Sequence, residues 1–255
     1  MPTESAARIA VVRPDLLGTY GDGGNATILQ RRLELRGIQS VVLPVGEGTP
    51  LPAHVDLILL GGSEDAAQAA FLDDARIGAA INRAVTAGAV ILGVCGGLQS
   101  LGHSLCAADG IVRGGLGILD CVTDARLRSR ACGEIIVDPA DSLGIPAMTG
   151  FENHGGRTRI GPSARAIGRV RIGVGNGHAR REGAFCGRVF GTYLHGPVLA
   201  RNPAFADLLL TLVVGPLEPL DLPDVETLRK ERLRAATRTA RFSPTTLRRA
   251  VTTGL

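Results

Sequence analysis

The stretch Ala89-Val90-Ile91-Leu92-Gly93-Val94-Cys95-Gly96-Gly97-Leu98-Gln99 constrains this chain more than any other. Its first four residues form an apolar, partly β-branched run of the length of a buried strand, and a helical pattern begins at Leu98. Cys95 therefore stands at a strand-to-helix corner. Glycines on both sides let the backbone take the positive φ such a corner demands and clear room for a substrate at the sulfur. The start of the following helix offers unpaired N–H groups and a positive dipole end, which favour thiolate over thiol. This is the layout of a nucleophile elbow with sulfur in place of the serine oxygen. A buried cysteine in a tight turn has the same local sequence, so the corner alone leaves both readings standing.

A corner of this kind needs a sheet around it. Strand-like runs at Ile9–Val12, Val41–Leu43 and Val55–Leu60 precede it, and helical patterns fall between them. The first helix is expected over Ala26–Arg36, with Ile28, Leu29, Leu33 and Leu35 apolar and Gly37 closing it. The second is expected over Asp73–Ala87, with Ile77, Ile81 and Val85 at fourfold spacing. Alternation of this type predicts an α/β fold with a parallel sheet of βαβ units. Further strands are expected at Leu116–Leu119 and Glu134–Val137. A chain of 255 residues has room for one large domain, or one domain with a tail.

Several residues are candidates for chemistry. Gly61-Gly62 ends an apolar strand at the sheet's carboxyl edge, where ligands of open α/β sheets bind, and its free N–H groups would suit an oxyanion hole or merely a tight turn. A short strand beginning at Arg188 delivers His195 before Gly196-Pro197 breaks the pattern. A Cys and a His at the ends of two strands can meet although 100 positions separate them. One of Arg126, Arg128 and Arg130 would suit a substrate carboxylate, since a guanidinium fork matches it bidentately, though each taken singly reads rather as a solvated surface charge. The polar, glycine-rich stretch Phe151–Thr158 reads as a structured functional loop in which His154 is either catalytic or bonded within its turn. His54, His103 and His178 have no comparable setting. The Gly- and Asp-rich segment from Pro14 to Asn25 lacks both common phosphate-loop patterns and reads as a turn.

Composition excludes several classes. Five cysteines without a C-x-x-C pair argue against a disulfide scaffold and for a reducing cytoplasm. No metal-ligand motif, no apolar run of 18 residues and no signal-peptide pattern is present, so neither a metal site, a membrane span nor export is expected. Between Leu228 and Arg249 eight basic residues stand against Glu231 alone, a local +7 within a chain total of +4. The expected division is thus a body over residues 1–222 and a basic helix or tail over 223–255. That tail would suit an acidic partner surface or anionic lipid head groups, or be a solvated end. Aromatic residues are too few for a stacking platform, which argues against nucleic acid.

Taken together, Tyr20-Gly21-Asp22-x-Gly24-Asn25, Gly61-Gly62-Ser63, Gly93-x-Cys95-Gly96-Gly97-x-Gln99, Leu116–Asp120, Phe151–Thr158 and Gly191–Pro197 resemble the class I, triad-type glutamine amidotransferases. The resemblance runs from about residue 8 to about residue 230. It is to the branch similar to cobyric acid synthase, and within it to the glutaminase subunits of lipid II isoglutaminyl synthase. The resemblance implies a flavodoxin-like fold, a mostly parallel central sheet flanked by helices. It implies Cys95 as nucleophile, His195 as its base, Arg130 and Gln99 in the glutamine site, and N–H groups of Gly62 and Gly96 as the oxyanion hole. It also implies L-glutamine as substrate and no cofactor in this chain. The partner would be a MurT-like Mur ligase in a heterodimer, holding ATP and magnesium and amidating lipid II at the cytoplasmic face of the membrane. Alternatives are a cobyric acid synthase-type amidotransferase and a non-catalytic protein on the same fold. Relatives of this class carry a glutamate two positions after the histidine, where this chain has Pro197. Either Cys95 and His195 work as a dyad, or an acid comes from elsewhere, a partner chain included.

Overall fold

The structure, a computed structural model, describes residues 6–126 and 130–241. Arg128 and the end of the basic segment, from residue 242 on, lie outside them. In chain order the first half contains β1 (Ala7–Val12), α1 (Gly24–Glu34), β2 (Ser40–Val45), β3 (Leu57–Leu60), α2 (Asp65–Asp73), α3 (Ala75–Thr86), β4 (Val90–Val94) and α4 (Gly96–Leu101). Then come β5 (Ser104–Cys106), β6 (Val112–Gly114), β7 (Cys121–Asp124), β8 (Ala131–Pro139), β9 (Met148–His154), β10 (Arg157–Ile160), β11 (Gly168–Ile172) and β12 (Arg181–Glu182). The chain closes with β13 (Ala184–Cys186), β14 (Val189–Thr192), α5 (Val198–Arg201), α6 (Pro203–Val214) and α7 (Pro223–Arg241).

The main sheet has the order β13-β14-β4-β3-β1-β2. Its neighbours are parallel except for β13, which runs antiparallel along one edge. The parallel strands thus follow the flavodoxin-like order of a doubly wound sheet. Every residue of β3 and β4 is buried, as central parallel strands covered on both faces must be. On α3, Ile77 and Ile81 are buried, and Asp74 caps the helix by accepting the N–H groups of Arg76 and Ile77 at 3.2 and 3.1 Å. Truncating Ile81 to alanine would cost about 2–5 kcal/mol by leaving a cavity.

Two four-stranded sheets fill the excursion between α4 and β13, in the orders β10-β7-β5-β6 and β12-β11-β8-β9. The expected strand at Leu116–Leu119 is not one. Its N–H groups at Leu116, Ile118 and Leu119 go to the carbonyls of Ser100 and Leu101, and Gly117 at φ +66° turns the chain, so the segment is a staple onto the end of α4. The expected loop at Phe151–Thr158 is the end of β9, a Gly155-Gly156 turn and the start of β10. Asp74 divides the single helix expected over Asp73–Ala87 from α2, which the sequence pattern did not reveal. On α1, Leu35 is exposed rather than part of the buried face. The helix α7 lies against β8 and β9, with Arg229 donating to the Ala147 carbonyl at 3.5 Å. No helix among the described residues is long and apolar enough to cross a membrane.

Candidate active site

Parallel pairing of β4 with β14 sets Val94 opposite Thr192, so both strands end at the same edge of the sheet. Cys95 follows one and His195 the other. Cys95 has φ +52° and ψ −103°, a strained conformation for a non-glycine residue and the mark of an elbow. The corner is tight because its glycines leave no room for side chains. A Cβ on Gly97 would stand 2.4 Å from the Leu60 carbonyl oxygen, and one on Gly96 would stand 2.6 Å from Ser63 Oγ. The Cys95 N–H donates to Thr192 O at 2.7 Å, which ties the elbow to the histidine strand.

His195 is held from both backbone sides by Phe151, through N–H to O bonds of 2.8 and 3.1 Å. Its neighbouring strand is fixed by buried Glu182, which accepts from Thr192 Oγ1 at 2.8 Å and Tyr193 N–H at 2.7 Å. The ring packs beside Tyr20 with 4.6 Å between centroids. Its Nδ1 faces the Asp22 carboxylate at 3.1 and 3.3 Å, while the buried Nε2 has no hydrogen-bond partner among the described residues. Burial would pull the imidazolium down, but the interactions with Asp22 and Cys95 outweigh it and raise His195 to about 9.

A cavity of about 220 Å³ opens beside Cys95, with Gln99, Ser63, Glu64, Arg130 and Asn153 on its walls. Arg130 Nε donates to Asn153 Oδ1 at 2.6 Å, and its Nη2 donates to Tyr20 Oη at 3.3 Å. Gln99 is buried and bridges Gln68 and Tyr193, accepting from Gln68 Nε2 at 3.1 Å and donating to Tyr193 Oη at 3.2 Å. It is thus a wall of the cavity anchored at both ends. A larger space of about 740 Å³, beside Arg13 and Asp74, includes none of Cys95, His195 and Arg130.

The structure therefore brings Cys95, His195, Arg130 and Gln99 together, and it corrects one member of the expected set. The Gly62 N–H is not free: it donates to Asp22 Oδ2 at 2.9 Å. Among the described residues the N–H groups of Gly96 and Ser63 are given to no acceptor, and a Cβ on Gly96 would lie 3.2 Å from Ser63 N. Both are donors next to Cys95, one adjacent in sequence and the other lining the same cavity. His154 lines the cavity but turns Nδ1 to the Gly156 carbonyl at 3.0 Å and stacks on Tyr193 at 3.7 Å, the alternative in which it bonds within its turn. Arg126 is paired with Asp124 in a bidentate ion pair on the surface. Asp22 is the residue sequence reasoning missed. Its only signal was the Tyr20–Asn25 motif, which reads locally as a turn. No group of three or more His, Cys, Asp or Glu among the described residues is placed to hold a metal ion.

A family profile for the CobB/CobQ-like glutamine amidotransferase domain matches residues 8–203. The chain is 36% identical over 199 residues to the lipid II isoglutaminyl synthase (glutamine-hydrolyzing) subunit GatD of Staphylococcus aureus, covering 77% of this chain and 79% of that one. It is 34% identical over 206 residues to the GatD subunit of Streptococcus pneumoniae, covering 80% and 78%. A cobyric acid synthase from Pelotomaculum thermopropionicum is 34% identical over 169 residues, but these are 60% of this chain and 31% of that much longer one. Among solved structures, a glutamine amidotransferase superposes with a TM-score of 0.55 at 17% identity, over 80% of this chain and 98% of its own. PurLQS from Thermotoga maritima superposes with a TM-score of 0.55 at 18% identity, over 82% and 98%. At such identities these two likenesses concern the fold alone.

Proposed function

The chain belongs to the CobB/CobQ-like glutamine amidotransferases, and from that premise we propose that it is the glutamine-hydrolysing subunit of a lipid II isoglutaminyl synthase. The observation that carries the reading is that Cys95 and Arg130 line one cavity, while His195 follows the strand paired with the one that ends at Cys95. In this reading Arg130 receives the α-carboxylate of L-glutamine, and the side-chain carboxamide reaches the sulfur. The Cys95 thiolate attacks the carboxamide carbon, and the N–H groups of Gly96 and Ser63 receive the oxyanion. His195 gives its proton to the departing ammonia, leaving a γ-glutamyl thioester. It then takes a proton from water, which releases glutamate and frees the sulfur.

The resemblance to GatD extends the reading to a partner. Ammonia released into water would protonate and be lost as a nucleophile, so it would pass directly to a MurT-like, ATP- and magnesium-dependent Mur ligase. That partner would activate and amidate the α-carboxylate of D-glutamate in lipid II, giving D-isoglutamine. The test is glutamate release from L-glutamine by the purified chain, alone and with the co-expressed ligase, with Cys95→Ser as control. Release that disappears in Cys95→Ser supports the reading. Folded protein without glutaminase activity in either setting overturns it.

A further inference from the structure

We propose that Asp22 is the positioning residue of the site, supplying from the β1–α1 loop of this same chain the carboxylate that orients His195 toward Cys95. The inference rests on the reading of Cys95 and His195 as nucleophile and base. It answers the absence of an acid at position 197 with a carboxylate of this chain.

Three observations support it. The first is the contact itself. Both Asp22 oxygens lie within 3.3 Å of His195 Nδ1, and the two side chains are 1% and 3% exposed. An ionised carboxylate only accepts, so Nδ1 carries the proton and Nε2 is left as the nitrogen for the thiol. Other ionisable groups against this ring are Tyr20, in ring contact, and Cys95. Among the described residues, no other carboxylate bonds to it.

The second is how the loop is seated. The first turn of α1, which follows it directly, is fixed to the histidine segment at successive points. Gly24 meets the Pro197 ring so closely that a Cβ there would lie 2.6 Å from its Cγ, and Asn25 Oδ1 accepts the Leu199 N–H at 3.0 Å. The space at position 197 is therefore filled by a ring packed on the start of α1, two residues after Asp22. Gly21, at φ +72°, makes the turn that presents the carboxylate.

The third is the second task of the same carboxylate. Buried charge is costly unless bonded, and Asp22 Oδ2 also takes the Gly62 N–H at 2.9 Å. That bond fixes the Gly61-Gly62 peptide and leaves the next N–H, that of Ser63, beside Gly96. One carboxylate thus sets the histidine tautomer and the register of the oxyanion donors together.

The experiment compares wild type with Asp22→Asn, which keeps size and a carbonyl acceptor for Gly62 but removes the charge. Two readouts are taken on the full chain with its ligase partner present and absent: steady-state glutamine hydrolysis, and the pH dependence of Cys95 alkylation by iodoacetamide, read by mass spectrometry. The expected result is a kcat lower by about 10²- to 10⁴-fold with KM within about threefold, as for the orienting acid of a hydrolase triad. Alkylation at neutral pH should slow by roughly tenfold, because a less stable imidazolium supports less thiolate. A variant with wild-type kcat and wild-type alkylation profile, with or without partner, overturns the proposal. So does a lowered kcat with an unchanged alkylation profile and a lowered melting temperature, which would make Asp22 a fold residue only. Alkylation does not depend on glutamine, so an altered profile in a chain that hydrolyses nothing would support the Asp22 coupling and separately refute the glutaminase reading.

Discussion

Arg130 and Asn153 are joined by a bond of 2.6 Å from Nε to Oδ1, so the guanidinium on one cavity wall is steered by the strand beside it. This fixes the plane of the fork and lowers the ordering cost of gripping a carboxylate. Arg130→Ala should therefore raise KM for glutamine by about 10- to 100-fold, in keeping with the loss of one or two charge-assisted bonds. The effect on kcat should be much smaller, since the contact is made equally in ground and transition states. Steady-state kinetics over a wide glutamine range checks both.

Gly62 has an ordinary backbone conformation, so its need for glycine is one of space. A Cβ there would lie 2.7 Å from His195 Cε1 and 3.1 Å from Asp22 Oδ2. Gly62→Ala should fold and yet push the imidazole off its line to Cys95. The expected outcome is a kcat loss of about 10²-fold with a melting temperature close to wild type, following the sensitivity of catalysis to small misplacements. Calorimetry alongside kinetics would separate this from simple destabilisation.

The pH profile should carry the mark of the same environment. His195 is raised to about 9, so its imidazolium persists below that value and is lost above it. The alkaline limb of kcat/KM is accordingly expected near pH 9 rather than near the ordinary histidine value of about 6.5. Asp22→Asn should move that limb toward lower pH. A buffer series with a coupled glutamate assay measures it directly.

Away from the site, Asp207 on α6 ties that helix to α1. It accepts from Arg32 at 2.6 and 2.5 Å and from Arg36 at 3.0 Å. Burial would raise its carboxyl, but the two arginines outweigh burial and hold it below the ordinary range. Its stabilising effect is therefore present above the unfolded-state value of about 3.9 and fades as pH falls through the lower folded-state value. Asp207→Asn should cost about 1.5–3 kcal/mol near neutrality, and the difference from wild type should begin to narrow below about pH 4. Urea melts at pH 7 and pH 3.5 would show this.

What could be read in advance divides by range. The strands β1, β3, β4 and β14 were legible because short apolar runs between glycines and prolines are local signals, and Cys95 and His195 sit at their ends. Asp22 was not, because its meaning lies in a contact with a residue 173 positions away and its own loop looks like an ordinary turn. Leu116–Leu119 misled for a related reason: its apolar residues are buried or half-buried against the end of α4, which composition cannot tell from strand pairing. The occupied N–H of Gly62 was not legible either, since the sequence shows a Gly-Gly turn and gives no sign that a distant carboxylate accepts from it.

The pairing of β4 with β14 has one more consequence. Because Cys95 and His195 follow adjacent strands of one sheet, with Val94 opposite Thr192, they are brought to the same sheet edge by strand pairing and not by the long excursion between them. That excursion provides Arg130 and Asn153. In the proposed reading the reacting pair thus belongs to the framework, while recognition is written on a separate page. On that reading, the residues that meet the substrate can change without disturbing the two strands that carry the sulfur and the imidazole.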